Sequence, residues 1–304
     1  MVNHIKNKKM NSLKPLHFKF TAILLLICCS SLFGQKLAPK ERILKPDHTI
    51  FSKIRGRDYQ LYLSFPKNYS TKDSISYPVL YILDGMYTFP VIKGIRPFFE
   101  RDTEDFIVVG VNASNFKYRN DDYTTSVATF DDEKNEKRNA TKSAFKTGGA
   151  AKFLESLKTE IIPFIDKNYK TNADRGIRGG SLGGLFVAYC LVNSDGYFTR
   201  FGINSPALWW DNEKLLNQAV AQFTENKIWD LPQTKVFISV GDQEDSFMVP
   251  TMTKFSKYLE DSNYENIDLK WKIFDGENHI SVIPASLSKT IYTLYGKDKR
   301  ITRP

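Results

Sequence analysis

Arg175-Gly176-Ile177-Arg178-Gly179-Gly180-Ser181-Leu182-Gly183-Gly184-Leu185-Phe186-Val187-Ala188-Tyr189 runs from a short extended segment, Arg175 to Arg178, through a glycine-rich turn into an apolar helix. Residues 179–183 spell G-x-S-x-G. A serine hydroxyl becomes a useful nucleophile when it projects from a sharp strand-to-helix turn, and bulky neighbours would collide with the strained backbone there. The N–H of the next residue, Leu182, then points to where an oxyanion would form. On these five residues alone, a turn that merely packs a helix on a sheet is the competing reading.

Partners decide between the two. The chain has four histidines, His4, His17, His48 and His279. A serine triad entered through such a turn needs the order nucleophile, acid, histidine. His279 is downstream, in Asp275-Gly276-Glu277-Asn278-His279, just after the extended run Leu269 to Phe274. A loop leaving the carboxyl end of a strand suits that role. His48 reads as a surface residue. The acid should follow the preceding strand, Lys235 to Val240, in Gly241-Asp242-Gln243-Glu244-Asp245. Glu244 is the first choice, because the chain there turns back towards the histidine; Asp245 is second, Asp242 third, and a Ser–His dyad stays open.

Outward from this turn, strands and helices alternate. Extended runs Thr49–Ile54 and Tyr59–Phe65 flank Arg55-Gly56-Arg57-Asp58, a hairpin signal. Buried-strand runs follow at Pro78–Leu83 and Phe106–Val111, with a helical period over Gly148–Tyr169. Beyond the turn come a strand near Phe201–Asn204, helices near Asn212–Glu225, Pro250–Ser262 and Ile283–Tyr295, and a strand over 267–274. This is an α/β pattern: one open, mostly parallel sheet with helices on both faces and an antiparallel N-terminal hairpin. Ser181, Glu244, His279 and Asp84-Gly85-Met86 all fall at strand ends, where such sheets bind ligands.

Composition bounds the function. Hydrophobic content of 41% and charge of 25% are ordinary for a globular chain of 304 residues. The net charge of +9 includes Lys6, Lys8, Lys9, Lys14 and Lys19 in an acid-free N-terminus, and without those five the remainder carries +4. No nucleic-acid surface is implied. The lysines precede the apolar run Phe20–Cys29 and the small-residue exit Ser30-Ser31-Leu32-Phe33-Gly34, the pattern of a secretory signal peptide over 1–34, with translation starting at Met1 or Met10. It is short for a membrane span, so no stable span is expected once it is removed. A lipoprotein anchor at Cys28 or Cys29 is disfavoured by the bulky residues before them. Cys190 would then be the one remaining thiol, with no zinc-type Cys/His cluster. The expected organisation is 1–34 signal, 35–47 connector, 48–298 domain and 299–304 tail.

Four stretches carry a resemblance: Tyr77-Pro78-Val79-Leu80-Tyr81-Ile82-Leu83-Asp84-Gly85, Gly180-Ser181-Leu182-Gly183-Gly184-Leu185-Phe186, Ser205-Pro206-Ala207-Leu208-Trp209-Trp210-Asp211 and Gly276-Glu277-Asn278-His279. Together, over residues 45–298, they resemble the esterase D-like family of α/β-hydrolases. The branch of siderophore-trilactone esterases is most similar; feruloyl and acetylxylan esterases and mycolyltransferases are more distant. The resemblance implies Ser181 as nucleophile, His279 as base, an oxyanion hole from the N–H groups of Met86 and Leu182, and Asp84 and Arg119 in the substrate pocket. The chain departs from the family pattern at Gly180, where relatives carry a polar or imidazole side chain. It also places Arg178 on a strand that should be buried, so that this residue needs a carboxylate partner or a wet strand end. Trp209 and Trp210 either wall an aromatic cleft or pack a helix, and Ser126–Ala150 is either a cover over the site or a surface insertion.

The expectation is an exported serine esterase, periplasmic or secreted, that acts through an acyl-enzyme and needs no metal or organic cofactor. Its substrate would be a small-molecule ester, an iron-chelator trilactone first, or a saccharide ester of the feruloyl or acetylxylan kind. Acyl transfer uses the same residues, and a hydrolase-like binding protein is the reading from another class.

Overall fold

The protein is described here by a computed structural model covering residues 44–72, 74–127, 146–226 and 228–297. The expected signal, most of the connector, the tail and the middle of the Ser126–Ala150 segment, with the basic run after Lys134, lie outside the described residues.

Eight strands form one sheet in the order β1-β2-β4-β3-β5-β6-β7-β8. β1 (His48–Ser52) and β2 (Arg57–Ser64) form the antiparallel hairpin, and β2 pairs antiparallel with β4 (Ile107–Ala113). From there β3 (Tyr77–Leu83), β5 (Thr171–Ser181), β6 (Arg200–Pro206), β7 (Thr234–Gly241) and β8 (Ile267–Phe274) run parallel. A parallel sheet covered on both faces needs strands that are apolar on both sides, and all seven residues of β3 are buried. Edge strand β8 is paired on one side only, and it keeps Lys270 and Lys272 in water.

Alternation along β3 divides the core. Val79, Tyr81 and Leu83 join a large cluster with Leu185 and Phe186 of the helix after Ser181, Leu182–Asn193. Leu80 looks to the opposite face, close to Tyr295. That face carries α1 (Gly85–Ile95) and the last helix, Val282–Tyr295, which touch each other. The helices between are α2 (Tyr118–Tyr123), α3 (Ala150–Ser156), α4 (Ile162–Asn168), α5 (Leu182–Asn193), α6 (Trp210–Glu225) and α7 (Met248–Asp261); Val282–Tyr295 is α8.

Three local features differ from expectation. α1 has no counterpart in the sequence reading, because Pro90 and Gly94 inside it break the helical signature. The single helix expected over 148–169 is joined through a π turn, Leu157–Ile161. Pro163 explains this, since it offers no N–H to the ladder and the register shifts ahead of it. In α6, Asp211, Asn212 and Glu213 are left-handed rather than helical.

The turn at Ser181 demands close backbone approach. A Cβ on Gly179 would lie 2.2 Å from the Gly183 carbonyl oxygen, and one on Gly184 would lie 2.7 Å from that of Asn204. Gly179→Ala should therefore lower the unfolding free energy by about 3 kcal/mol, as overpacking does. Gly94→Ala, with nothing within 4 Å of its added carbon, should instead be neutral or stabilise by up to ~1 kcal/mol. Urea unfolding of both variants measures the contrast.

Candidate active site

Ser181 ends β5 and caps α5 with φ 59 and ψ −124, a conformation that side chains other than glycine rarely adopt. The strain turns the hydroxyl away from the sheet and towards a cavity of about 320 Å³. The cavity lies between the start of α1 and the start of α8, and Ser181, His279, Asp84, Arg119 and Arg178 all line it.

His279 leaves β8 on a turn organised by Asn278, whose Oδ1 accepts the N–H groups of Ile280 and Ser281 at 2.9 and 3.0 Å. Its Nδ1 is 2.5 Å from Glu244 Oε2. The other carboxylate oxygen accepts from Ser205 Oγ at 2.6 Å and from the Gly241 N–H at 2.7 Å. The Glu244 side chain is 0% exposed and that of His279 is 39% exposed. A buried carboxylate with three donors thus fixes the ring, leaving Nε2 as the free nitrogen. Asp242 and Asp245 are both exposed, so of the three candidate acids it is Glu244 that reaches the imidazole.

Burial by itself would push the Glu244 carboxyl up, but the hydrogen bonds from His279, Ser205 and Gly241 more than offset it and hold the group below the usual glutamate range. A folded value below the unfolded one means that ionised Glu244 stabilises the fold at neutral pH, and this contribution is lost as pH falls through the folded value. Urea midpoints followed from about pH 6 down to about pH 3 should drop more steeply in the wild type than in Glu244→Gln.

Two helix starts meet beside Ser181. Leu182 is the first residue of α5 and Met86 the second of α1, so neither backbone N–H has an acceptor within its own helix. A Cβ on Gly183 would lie 3.6 Å from both Asp84 Oδ2 and Leu83 Cβ, so the two starts adjoin. Their dipoles add positive potential at the same place.

Asp84 and Arg119 also share the cavity, bound to each other. Arg119 Nε donates to Oδ1 at 2.7 Å and Nη2 to Oδ2 at 2.9 Å. A second Nη2 bond reaches the Gly180 carbonyl at 3.3 Å. Arg119 is carried on α2, which is anchored to the β1–β2 hairpin turn. Arg55 and Arg57 bind Asp121 at 2.7 and 2.6 Å, and Asp122 takes Arg55 Nε and Tyr59 Oη at 2.9 and 2.8 Å.

Trp209 stands outside the lining. Its ring packs against Phe247, with centroids 5.3 Å apart, and beside Trp210 at 6.1 Å, so these rings pack α6 against the start of α7. Aromatic lining comes from Tyr87 and Phe116, whose rings meet edge-to-face at 6.2 Å and are largely exposed. No motif marks them, but both follow strand ends by a few residues, and that position is the signal that could have found them. Arg178 was expected beside a carboxylate or at a wet strand end. It is instead 2% exposed, and its Nε donates to the Asn204 side-chain oxygen at 2.6 Å.

Among the described residues, no group of three or more His, Cys, Asp or Glu could hold a metal, and no helix is long and apolar enough to cross a membrane.

Known proteins share this arrangement of chain. The ferri-bacillibactin esterase BesA of Bacillus subtilis is 26% identical over 254 residues, covering 79% of this chain and 86% of its own. The apo-salmochelin esterase of Escherichia coli O6:H1 is 23% identical over 308 residues, covering 94% and 93%. The crystal structure of the BES protein from Bacillus cereus superposes with a TM-score of 0.71 at 30% identity, covering 82% of this chain and 95% of that one. With the Esterase family model matching residues 52–281, the chain belongs to the Esterase family and is a carboxylic ester hydrolase of α/β fold.

Proposed function

We propose that the protein is an exported serine esterase that opens the ester bonds of a siderophore trilactone. The observation that carries the reading is the buried Glu244 carboxylate, 2.5 Å from His279 Nδ1, on a cavity that His279 shares with a strained Ser181. The siderophore substrate is favoured by relatives described as bacillibactin and salmochelin esterases, and by the exposed Tyr87 and Phe116 rings, which offer stacking surfaces to aromatic chelating groups.

The chemistry follows from the side chains. His279 Nε2 takes the Ser181 proton as Oγ attacks the ester carbonyl, and Glu244 stabilises the imidazolium that forms. The carbonyl oxygen, now an oxyanion, is held by the N–H groups of Leu182 and Met86, each worth roughly 3 kcal/mol in the transition state. The imidazolium then protonates the departing alcohol. Water, deprotonated by the same nitrogen, attacks the acyl-serine, and the proton returns to Oγ as the acid leaves. Asp84 and Arg119 hold one another in the pocket wall as a positioned polar surface for the substrate.

Export is proposed for residues 1–34 on the lysine-then-apolar pattern, with the esterase domain over 48–298. N-terminal sequencing of the protein from the producing cells should find a start near residue 35.

The substrate test is a panel of ferric catecholate trilactone, methyl ferulate and acetylated xylan, followed by chromatography of the products. Preferred hydrolysis of the trilactone to linear fragments is the expected result. Preference for the ferulate or the xylan would replace the siderophore with a saccharide ester, and transfer of the acyl group to added sugar would make the protein an acyltransferase.

A further inference from the structure

The inner end of the catalytic cavity holds a positive charge with no acid to meet it. Arg178 lies three residues before Ser181 on β5, and it lines the same cavity. Among the described residues no carboxylate comes within 4 Å of its nitrogens, and its two terminal nitrogens have no hydrogen-bond partner. Asp84 is the acid whose charge it feels, yet Asp84 already gives both oxygens to Arg119. Apart from His279, the acidic and basic residues that line the cavity are thus two arginines and one aspartate.

The guanidinium is also held in place. Its Nε bond to Asn204 Oδ1 is backed by the Asn204 amide, which donates to Ser239 Oγ at 3.0 Å and Thr290 Oγ1 at 3.2 Å. Ser239 is in turn 3.1 Å from Ser286 Oγ, which lines the cavity. These links orient Asn204 with its oxygen towards Arg178 and leave the outer fork free. Gly180 completes the arrangement. A Cβ at that position would stand 3.3 Å from Nη2 and 3.7 Å from Nη1, so the fork lies beneath the residue that precedes the nucleophile. The two departures from the family pattern, Arg178 and Gly180, are therefore one feature: the space left by a missing side chain is faced by a guanidinium.

Burial pushes the Arg178 group down to about 10, which leaves it charged at neutral pH. A buried cation whose fork opens on a cavity gains most when an anion joins it there. A planar fork with free N–H groups matches a carboxylate, which it can bind through two parallel hydrogen bonds.

We infer that Arg178 forms a carboxylate subsite inside the catalytic cavity, selecting esters that carry a carboxylate within a few bonds of the scissile carbonyl. The inference rests on the serine-esterase reading. An intact trilactone has no free carboxylate, whereas the linear esters released by opening one carry it about four bonds from the next scissile carbonyl, and Arg178 acts as a specificity residue that contacts such substrates.

Two matched ester pairs test it: mono(4-nitrophenyl) adipate against 4-nitrophenyl adipamate, with the charge on the acyl side, and 3-carboxyphenyl butyrate against 3-carbamoylphenyl butyrate, with the charge on the alcohol side. The wild type should favour the carboxylate member of at least one pair by about 10- to 100-fold in kcat/KM, the range of a charge-assisted hydrogen bond. Arg178→Gln should bring that ratio to about 1, and Arg178→Lys should keep part of it. A merely structural Arg178 would lower both members together and leave the ratio intact, which would overturn the inference, as would equal rates in both wild-type pairs. Calorimetric binding of adipate against adipamide to the intact wild-type protein reads the same subsite without turnover or substitution, and equal affinities there overturn it too. These outcomes are separate from the parent reading, which fails if Ser181→Ala still hydrolyses the neutral esters or if the wild type hydrolyses none of them.

Discussion

Ser181→Ala should lower kcat/KM for 4-nitrophenyl butyrate by roughly 10⁴- to 10⁶-fold, the scale seen when a serine nucleophile is removed. The fold should survive. Among the described residues the Ser181 hydroxyl makes no hydrogen bond, so its loss breaks no contact, and an alanine must accept only the φ of 59 that serine already carries. A fluorophosphonate probe should label the wild type at this residue and leave the variant unlabelled. Residual activity would come from the two N–H donors at the helix starts and from binding alone. Near wild-type turnover in a cleanly folded Ser181→Ala protein would remove the acyl-enzyme mechanism, and absence of labelling in an inactive wild type would favour a binding protein.

Glu244→Gln should reduce kcat by about 10²- to 10⁴-fold with a much smaller change in KM. The carboxylate accepts from His279 Nδ1 and so keeps the proton on that nitrogen and the lone pair on the one facing the cavity. An amide can present its NH₂ group instead, which favours the opposite tautomer and removes the charge that stabilises the imidazolium. The other two donors, Ser205 Oγ and the Gly241 N–H, stay in place to hold the side chain, so the loss reads the electrostatic role more than a collapse of the loop. Asp242→Asn and Asp245→Asn, both at exposed positions, should change kcat by less than about 3-fold. If Glu244→Gln behaves like those two, a Ser–His dyad replaces the triad.

Much of this was legible in residue order because it rests on local rules. Gly179 is demanded by a contact only four residues away, with Gly183, and such a contact leaves a fixed spacing in sequence, whereas Gly184 meets Asn204, twenty residues on. The strand ends were legible for a similar reason: a parallel strand buried on both faces is a continuous apolar run, and the polar residue that ends it is where a side chain can reach the cavity. Asp84 and Glu244 follow such runs, whereas His279 follows the edge strand β8, which alternates apolar with charged residues.

Other features depended on residues far apart in the chain. α1 escaped notice because Pro90 and Gly94 weaken its signature, and its stability comes from lying on β4 and against α8. Trp209 read equally well as a cleft wall or a packing residue, and a ring it packs against, Phe247, is 38 residues away. Arg178 called for an acid by the ordinary rule for buried cations. It met an amide instead, which is itself held by Ser239 on β7 and Thr290 on α8.

Residue order alone therefore suffices for the mostly parallel sheet and for the turn that lifts Ser181, since each follows from backbone sterics and side-chain alternation within short segments. The Glu244–His279 pairing, the engagement of Asp84 by Arg119 and the uncompensated Arg178 beneath Gly180 emerge only when distant strands lie side by side. Electrostatic partnership depends on distance through space and on exclusion of water, and a linear chain records neither.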